Sequence, residues 1–291
     1  MNDIKRLLTT KFEIDLFDAS IVSLNEKDNK LRYNNFAYSI RELSRHFLDK
    51  LAPELNIKNC SWFKKETDNG KPTRTQRIKY AIHGGITEEL LEQLGFDIEE
   101  LTKIIRNIKT TIDSLSKYTH INPEVFDLSE QDVEKYSKDV LSSFKNFVLI
   151  IDNYRKHLKT FLDGHIEEHM ISSVVSNFFS NVDCLATNHS IDYSEVSDYH
   201  ISEINDREII VNVFGDLHVT LEYGSRQERR EGDGFDLEQS FPFETKIRYE
   251  ISKKFPSEKY AIDDYDADTS EWYGDEDYIN DEIERHIENT E

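Results

Sequence analysis

The sequence is short of cysteine, long apolar runs and glycine-rich loops, and each shortage removes a class of protein. Two cysteines in 291 residues, Cys60 and Cys184, stand 124 positions apart. They are too few for a disulfide framework or a zinc ribbon and read as buried thiols. The longest apolar run is FVLII at 147–151, far below the roughly 20 residues of a membrane span. The first 20 residues hold no apolar stretch ahead of a cleavage site, so the expectation is a cytoplasmic chain without membrane contact. No glycine-rich phosphate loop is present, and no segment repeats.

What is there is a polar globular composition, 37% hydrophobic and 32% charged, with enough apolar matter to bury a core. The formal net charge of −22 opposes nucleic acid, yet it is unevenly spread. Residues 258–291 hold 14 acidic and two basic residues, more than half of the excess. Residues 58–79 hold seven basic residues against Glu66 and Asp68, with Trp62 and Phe63 among them. Lys64, Lys65, Arg74, Arg77 and Lys79, with Arg45 upstream, are therefore candidate nucleic-acid contacts.

Periodicity gives an α+β fold: a helical N-terminal domain, a small antiparallel β-domain and an acidic C-terminal tail. After an opening segment at 1–33, Phe36, Ile40, Leu43, Phe47 and Leu51 mark an amphipathic helix that Pro53 stops. The helical domain with its basic loop runs over 34–127, with Thr87 and Asp97 as N-caps, the latter of a helix in which Leu101, Ile104, Ile105, Ile108, Ile112 and Leu115 form one stripe. A long helical hairpin is expected over 128–198. Val133, Val140, Phe147, Tyr154 and Phe161 recur every seven residues as a seam for a partner helix. Gly164 is read as its end, with a second helix at 165–182 folding back. Over 199–256 the period becomes two. Ile209, Val211 and Val213 are set apart from Leu217, Val219, Leu221 and Tyr223 by Gly215-Asp216, a hairpin signal. A charged loop at 226–231 and a further alternating strand at 243–251 follow. The tail at 257–291 is acidic and dotted with aromatics, suited to solubility, to docking, or to competing with nucleic acid for the basic face.

Three constellations carry candidate chemistry. Arg41 and His46, with Arg45 between them, resemble the HEPN ribonuclease pattern, which implies an Arg on phosphate and a His in acid/base cleavage of RNA. Five residues on a straight helix separate the two by about 140°, so the pair works near a helix end or across a homodimer. Otherwise it is a solvated basic face. Glu244 and Lys246, with Asp233 and Asp236 upstream, are the residue set of a magnesium-dependent restriction-type nuclease; an ordinary half-exposed strand shows the same alternation. His165, Glu168 and His169 fit the H-x-x-E-H zinc spacing, or are first-turn residues of a helix.

Two blocks carry a wider resemblance. The stretch at 36–85, with SIRELSRHFLDKLAP and TRTQRIKYAIHGG, and the stretch at 182–243, with NVDCLATNHSID, VTLEYGS, REGDGFD and QSFPF, resemble the predicted nucleases encoded beside prokaryotic PIWI proteins. The family pattern carries Gln before the Tyr and Asp in the following loop, where this chain has Glu222 and Glu228. The resemblance implies a nuclease or nuclease-associated subunit of a bacterial defence system, with a PIWI-like partner and nucleic acid as its ligand. The competing reading from the residues is a non-enzymatic adaptor that uses the seven-residue seam and the β-domain.

Overall fold

The computed structural model describes residues 2–6, 8, 10–256 and 258–274. The chain divides into two compact units, Met1–Phe161 with Ile204–Glu208, and Leu162–Glu203 with Ile209–Glu291. The order of elements is the expected α+β one, helices first and a small antiparallel four-stranded sheet after them. Among the described residues no helix is long and apolar enough to cross a membrane.

The first unit holds α1 (Asn2–Lys5), α2 (Lys11–Asn25), α3 (Arg32–Leu51), α4 (Glu54–Asn59), α5 (Arg74–His83), α6 (Glu88–Gln93), α7 (Ile98–Thr119) and the opening turns of α8 (Glu130–Ser176). Local chemistry fixes their starts. Thr10 accepts from Glu13 N at 3.2 Å while the Glu13 carboxylate accepts from Thr10 N at 3.0 Å, a reciprocal cap that starts α2 inside the segment read only as an opening stretch. Thr87 and Asp97 cap α6 and α7 as their positions implied. The apolar stripes of α3 and α7 turn inward: Phe36, Ile40, Leu43 and Phe47 are buried, as are Leu101, Ile105, Ile108, Ile112 and Leu115. Val133, Val140, Phe147 and Tyr154 of α8 are buried too, and Phe47 meets Phe144 and Phe147 with ring centroids 5.7 and 6.1 Å apart. The seven-residue seam is thus filled by this chain's own helices, which removes it as the adaptor's free face.

The second unit holds the rest of α8, α9 (Ser180–Asp183), β1 (Asn188–Ile204), β2 (Glu208–Tyr223), α10 (Arg226–Glu231), β3 (Phe235–Glu250), β4 (Tyr260–Ile262) and a 3-10 turn at Glu271–Gly274. The strands lie in the order β1-β2-β3-β4. Tyr249 pairs with Tyr260 and Ile247 with Ile262 in antiparallel register.

Four features differ from the sequence expectation. The helical hairpin is a single 47-residue helix. Gly164 costs a helix about 1 kcal/mol, but Leu162, Ile166 and Met170 are fully buried on either side of it, each contributing about 2 kcal/mol, so burial carries the helix through. The hairpin expected at Gly215-Asp216 is the middle of β2. A methyl on Gly215 would lie 2.4 Å from the Glu195 carbonyl oxygen and 2.6 Å from Phe243, so this glycine serves close packing and makes no turn. The charged loop at 226–231 is α10, started by a Ser225–Glu228 capping box. Finally, Tyr260–Ile262 of the acidic segment joins the sheet, and Tyr265, Asp266 and Ala267 bond to Asn177, Ser180 and Asn181. The remainder of that segment, 275–291 with Tyr278, lies outside the described residues.

Candidate functional site

The basic segment leaves α4 as a loop and re-enters helix at α5. Thr73 and Gln76 form the capping box of α5. The Gln76 amide also donates to Lys64 O at 2.7 Å, which pins the loop to the helix start. Four of the seven cations are held inside the unit. Lys58 pairs with Glu54 at 2.6 Å, Arg74 with Asp113, Arg77 with Asp49 at 3.0 Å, and Lys79 with Glu88 at 2.7 Å. Arg77 further donates to Ala52 O, the carbonyl at the end of α3, at 2.9 Å, and Lys79 lies 4.9 Å from the centre of the Trp62 ring. Lys64, Lys65 and Lys71 stay exposed on the loop. Arg45 spends its guanidinium on Glu42, at 3.0 and 3.2 Å.

Beside this loop lies a buried polar corner that the sequence reading passed over. α5 ends at His83, followed by Gly84 at φ +59°. Gly85 donates to Asn205 O at 2.8 Å, and a methyl there would lie 2.4 Å from Asp206 O; the pair of glycines lets this turn approach. Trp62 Nε1 donates to Gly84 O at 3.0 Å. The His83 ring is fully buried, 6.0 Å from Trp62 and 6.3 Å from Tyr154. Neither of its nitrogens makes a well-formed hydrogen bond among the described residues. Burial, aided by the charge of Lys79, pushes its pKa down to about 3, and the nearby backbone of His83 and Ile86 opposes this only weakly. The Cys60 thiol is pushed up to about 12 by burial and by the Asp206 charge, with Lys79 acting the other way. The corner therefore holds a neutral imidazole and a protonated thiol at ordinary pH, and Lys79, whose charge acts on both, is paired with Glu88. The signal for it was His-Gly-Gly closing an amphipathic helix, within TRTQRIKYAIHGG.

The other candidates are placed apart. Arg41 and His46 share α3, but no hydrogen bond or ring contact joins them among the described residues. Arg41 leans on Glu42 at 3.6 Å with its Nε buried and unpartnered. His46 is exposed, edge-on to Phe12 at 5.2 Å.

Asp233 and Asp236 belong to the corner between β2 and β3. There Tyr223 stacks on Phe235 at 4.8 Å and donates to Leu185 O at 3.0 Å. Arg229 bridges Asp236 at 2.6 Å and Glu222 at 3.5 Å. Glu228 is spent on the cap of α10, so the two positions that depart from the family pattern have structural partners here. Glu244 and Lys246 sit on the exposed face of β3, which runs Phe235–Glu250. Eight residues of extended strand separate Asp236 from Glu244, about 26 Å at 3.3 Å per residue. These four residues do not fit a shared magnesium site, and no group of three or more His, Cys, Asp or Glu side chains is arranged to hold a metal among the described residues. In the H-x-x-E-H stretch, His169 is buried, stacked on Tyr260 at 3.7 Å, with Nδ1 3.2 Å from the Tyr249 hydroxyl. It is a core histidine.

Two family profiles match the chain, one over residues 5–144 and the other over residues 151–273, and both describe a predicted pPIWI-associating nuclease. The chain belongs to this family. No curated protein and no solved structure matches it. The first match holds the basic loop with Cys60, Trp62 and His83, and the second holds Tyr154, Asn205 and Asp206, which complete the His83 corner, and the sheet with its Tyr-Gly-Ser and Gly-Asp-Gly corner.

Proposed function

We propose that this chain is a nuclease subunit of a prokaryotic defence system, acting in the cytoplasm with a PIWI-like partner. It engages nucleic acid through phosphate contacts from Lys64, Lys65 and Lys71. The observation that carries this reading is the division of labour in the basic segment: four cations are tied to carboxylates of the same unit, while these three are presented together on one exposed loop. Contacts of this kind favour phosphate irrespective of base sequence and weaken steeply with salt. The family description supplies the reaction class, cleavage of a phosphodiester.

The test is cleavage of labelled RNA and DNA by the chain with its natural partner, with magnesium and with EDTA. Metal-free RNA cleavage lost in His46→Ala assigns the Arg41–His46 route. Magnesium-dependent cleavage lost in Glu244→Ala or Lys246→Ala assigns catalysis to the exposed face of β3 without Asp233 and Asp236. Cleavage of neither substrate in either condition replaces both with the adaptor reading. A specific feature favours that second reading, an apolar groove that runs along the first half of the edge strand β1 in the second unit.

A further inference from the structure

Among the described residues β1 is the edge of the sheet, with β2 as its single neighbour strand. An edge of 17 residues is long. It offers a row of backbone donors and acceptors on which another strand can form, and proteins commonly blunt such an edge with lysine, proline or a covering element. β1 contains neither lysine nor proline. Alongside its first half runs a groove of about 580 Å³, lined from α8 by Ile171, Val174 and Val175 and from β1 by His189 and residues 191–194. The groove touches residues 191–194 in succession, and Asp192, which accepts from Thr220 at 2.9 Å, and Tyr193, which stacks on His218, share one face of the sheet, so the strand's alternation breaks beside the groove. Its apolar rim is solvent-exposed: Ile171 is 59%, Val175 84% and Tyr193 57% accessible. Tyr193 is held in place by stacking on His218 at 4.1 Å.

Charge selects the occupant. Residues 160–206 contain nine Asp and Glu and no Lys or Arg. Asp192, Glu195, Asp198 and Glu203 lie on β1 itself. A second copy of this edge would set like charges opposite one another, which opposes self-pairing. A phosphate backbone would be repelled.

We propose that the β1 edge and this groove bind an extended segment of a partner protein in which lysine or arginine alternates with branched apolar residues. The segment adds as a fifth strand. Its backbone pairs with β1, its apolar side chains enter the groove against Ile171, Val174 and Val175, and its cations lie on the opposite face beside Asp192 and Tyr193, where Asp192 accepts from Thr220 and Tyr193 stacks on His218. Six to eight residues suffice, about 20–26 Å of strand. The inference goes beyond the nuclease reading and does not rest on it, because the surface excludes nucleic acid and the lysines of the basic loop take no part.

The test uses the full chain and three fluorescein-labelled octapeptides, alternating valine-lysine, valine-glutamate and glycine-lysine. The valine-lysine peptide should bind at least tenfold more tightly than either of the others. Binding should weaken at least tenfold in Ile171→Lys/Val175→Lys, two exposed helix positions whose change leaves the core intact, and should be unchanged in Lys64→Glu/Lys65→Glu. Hydrogen exchange at residues 188–197 should slow in the complex. Equal binding of the glycine-lysine peptide, binding without slowed exchange, or dimerisation of the chain that Val175→Lys abolishes would each overturn the proposal, the last by giving the surface to a second copy.

Discussion

His83 and Tyr154 face each other with ring centroids 6.3 Å apart, both side chains buried, and neither His83 nitrogen nor the Tyr154 hydroxyl has a well-formed hydrogen bond among the described residues. Burial penalises the charged form of each, lowering His83 to about 3 and raising Tyr154 well above its usual value.

For His83 this makes stability depend on pH. An unfolded histidine takes up a proton as pH falls through about 6.5, whereas the buried one does so only near 3. The unfolded state thus binds more protons in that window, and stability is lost as pH falls through it, by up to about 1.4 kcal/mol per unit. His83→Leu removes this contribution. The urea midpoint of the variant should decline less steeply than that of the parent below about pH 6.5. Parallel declines would mean that His83 titrates as an exposed residue.

Two glycines predict effects of opposite sign. A methyl at Gly164 meets nothing within 4 Å, so Gly164→Ala should stabilise the chain by about 0.5–1 kcal/mol through helix propensity. At Gly215 the methyl would strike the Glu195 carbonyl and Phe243, so Gly215→Ala should destabilise by about 1–3 kcal/mol. Chemical denaturation of both variants checks the pair. Destabilisation by Gly164→Ala would speak for a turn at that position.

These glycines also show how much was legible. The α+β order, the stripes of α3 and α7 and the caps at Thr87 and Asp97 follow from periodicity and side-chain chemistry, which act locally. Thr10 and Glu13 were equally legible as a T-x-x-E capping box but went unread. So was β2. Val211, Val213, Leu217, Val219 and Leu221 keep one parity through Gly215, and a two-residue turn there would have thrown Leu217 to the opposite face from Val213. The candidate site was harder. Charge counting finds the cations at 58–79, but Asp49, Glu88 and Asp113, which hold three of them, come from other helices. A tertiary partner leaves no mark in local spacing, and for the same reason Asp236 and Glu244 looked close in sequence while the extended strand carries them apart.

The cysteines should differ sharply in reactivity. Cys60 is buried as expected, donates to Asn56 O at 3.2 Å and has its thiol pushed up to about 12, whereas Cys184, also expected to be buried, is exposed just after the short helix α9. The thiolate is the nucleophile. Iodoacetamide on the folded chain at neutral pH should therefore label Cys184 and spare Cys60, with Cys60 reacting only after denaturation. Peptide mass spectrometry reads this directly, and equal labelling of both in the folded chain would contradict the packing of Cys60 with Ala52, Ile57 and Tyr80.

The cations of the basic segment should separate by experiment into two sets. Arg77 is 18% exposed at its side chain, pairs with Asp49 and caps the Ala52 carbonyl. Arg77→Ala leaves that carbonyl and the carboxylate without their donor and should cost about 1–3 kcal/mol of stability. Lys64 and Lys65 have exposed side chains with no ion pair among the described residues, so Lys64→Ala and Lys65→Ala should change stability by less than about 0.5 kcal/mol. Nucleic-acid affinity should respond in the reverse order. Each lysine that contacts phosphate lowers the slope of log affinity against log salt by about one when removed, so the double variant should bind weakly at low salt and show a shallower salt dependence. Denaturation curves and shift assays at two salt concentrations measure both properties on the same proteins. Unchanged binding in the folded double variant would remove the loop as the phosphate contact, and an Arg77→Ala chain of full stability that no longer binds would return Arg77 to the binding face.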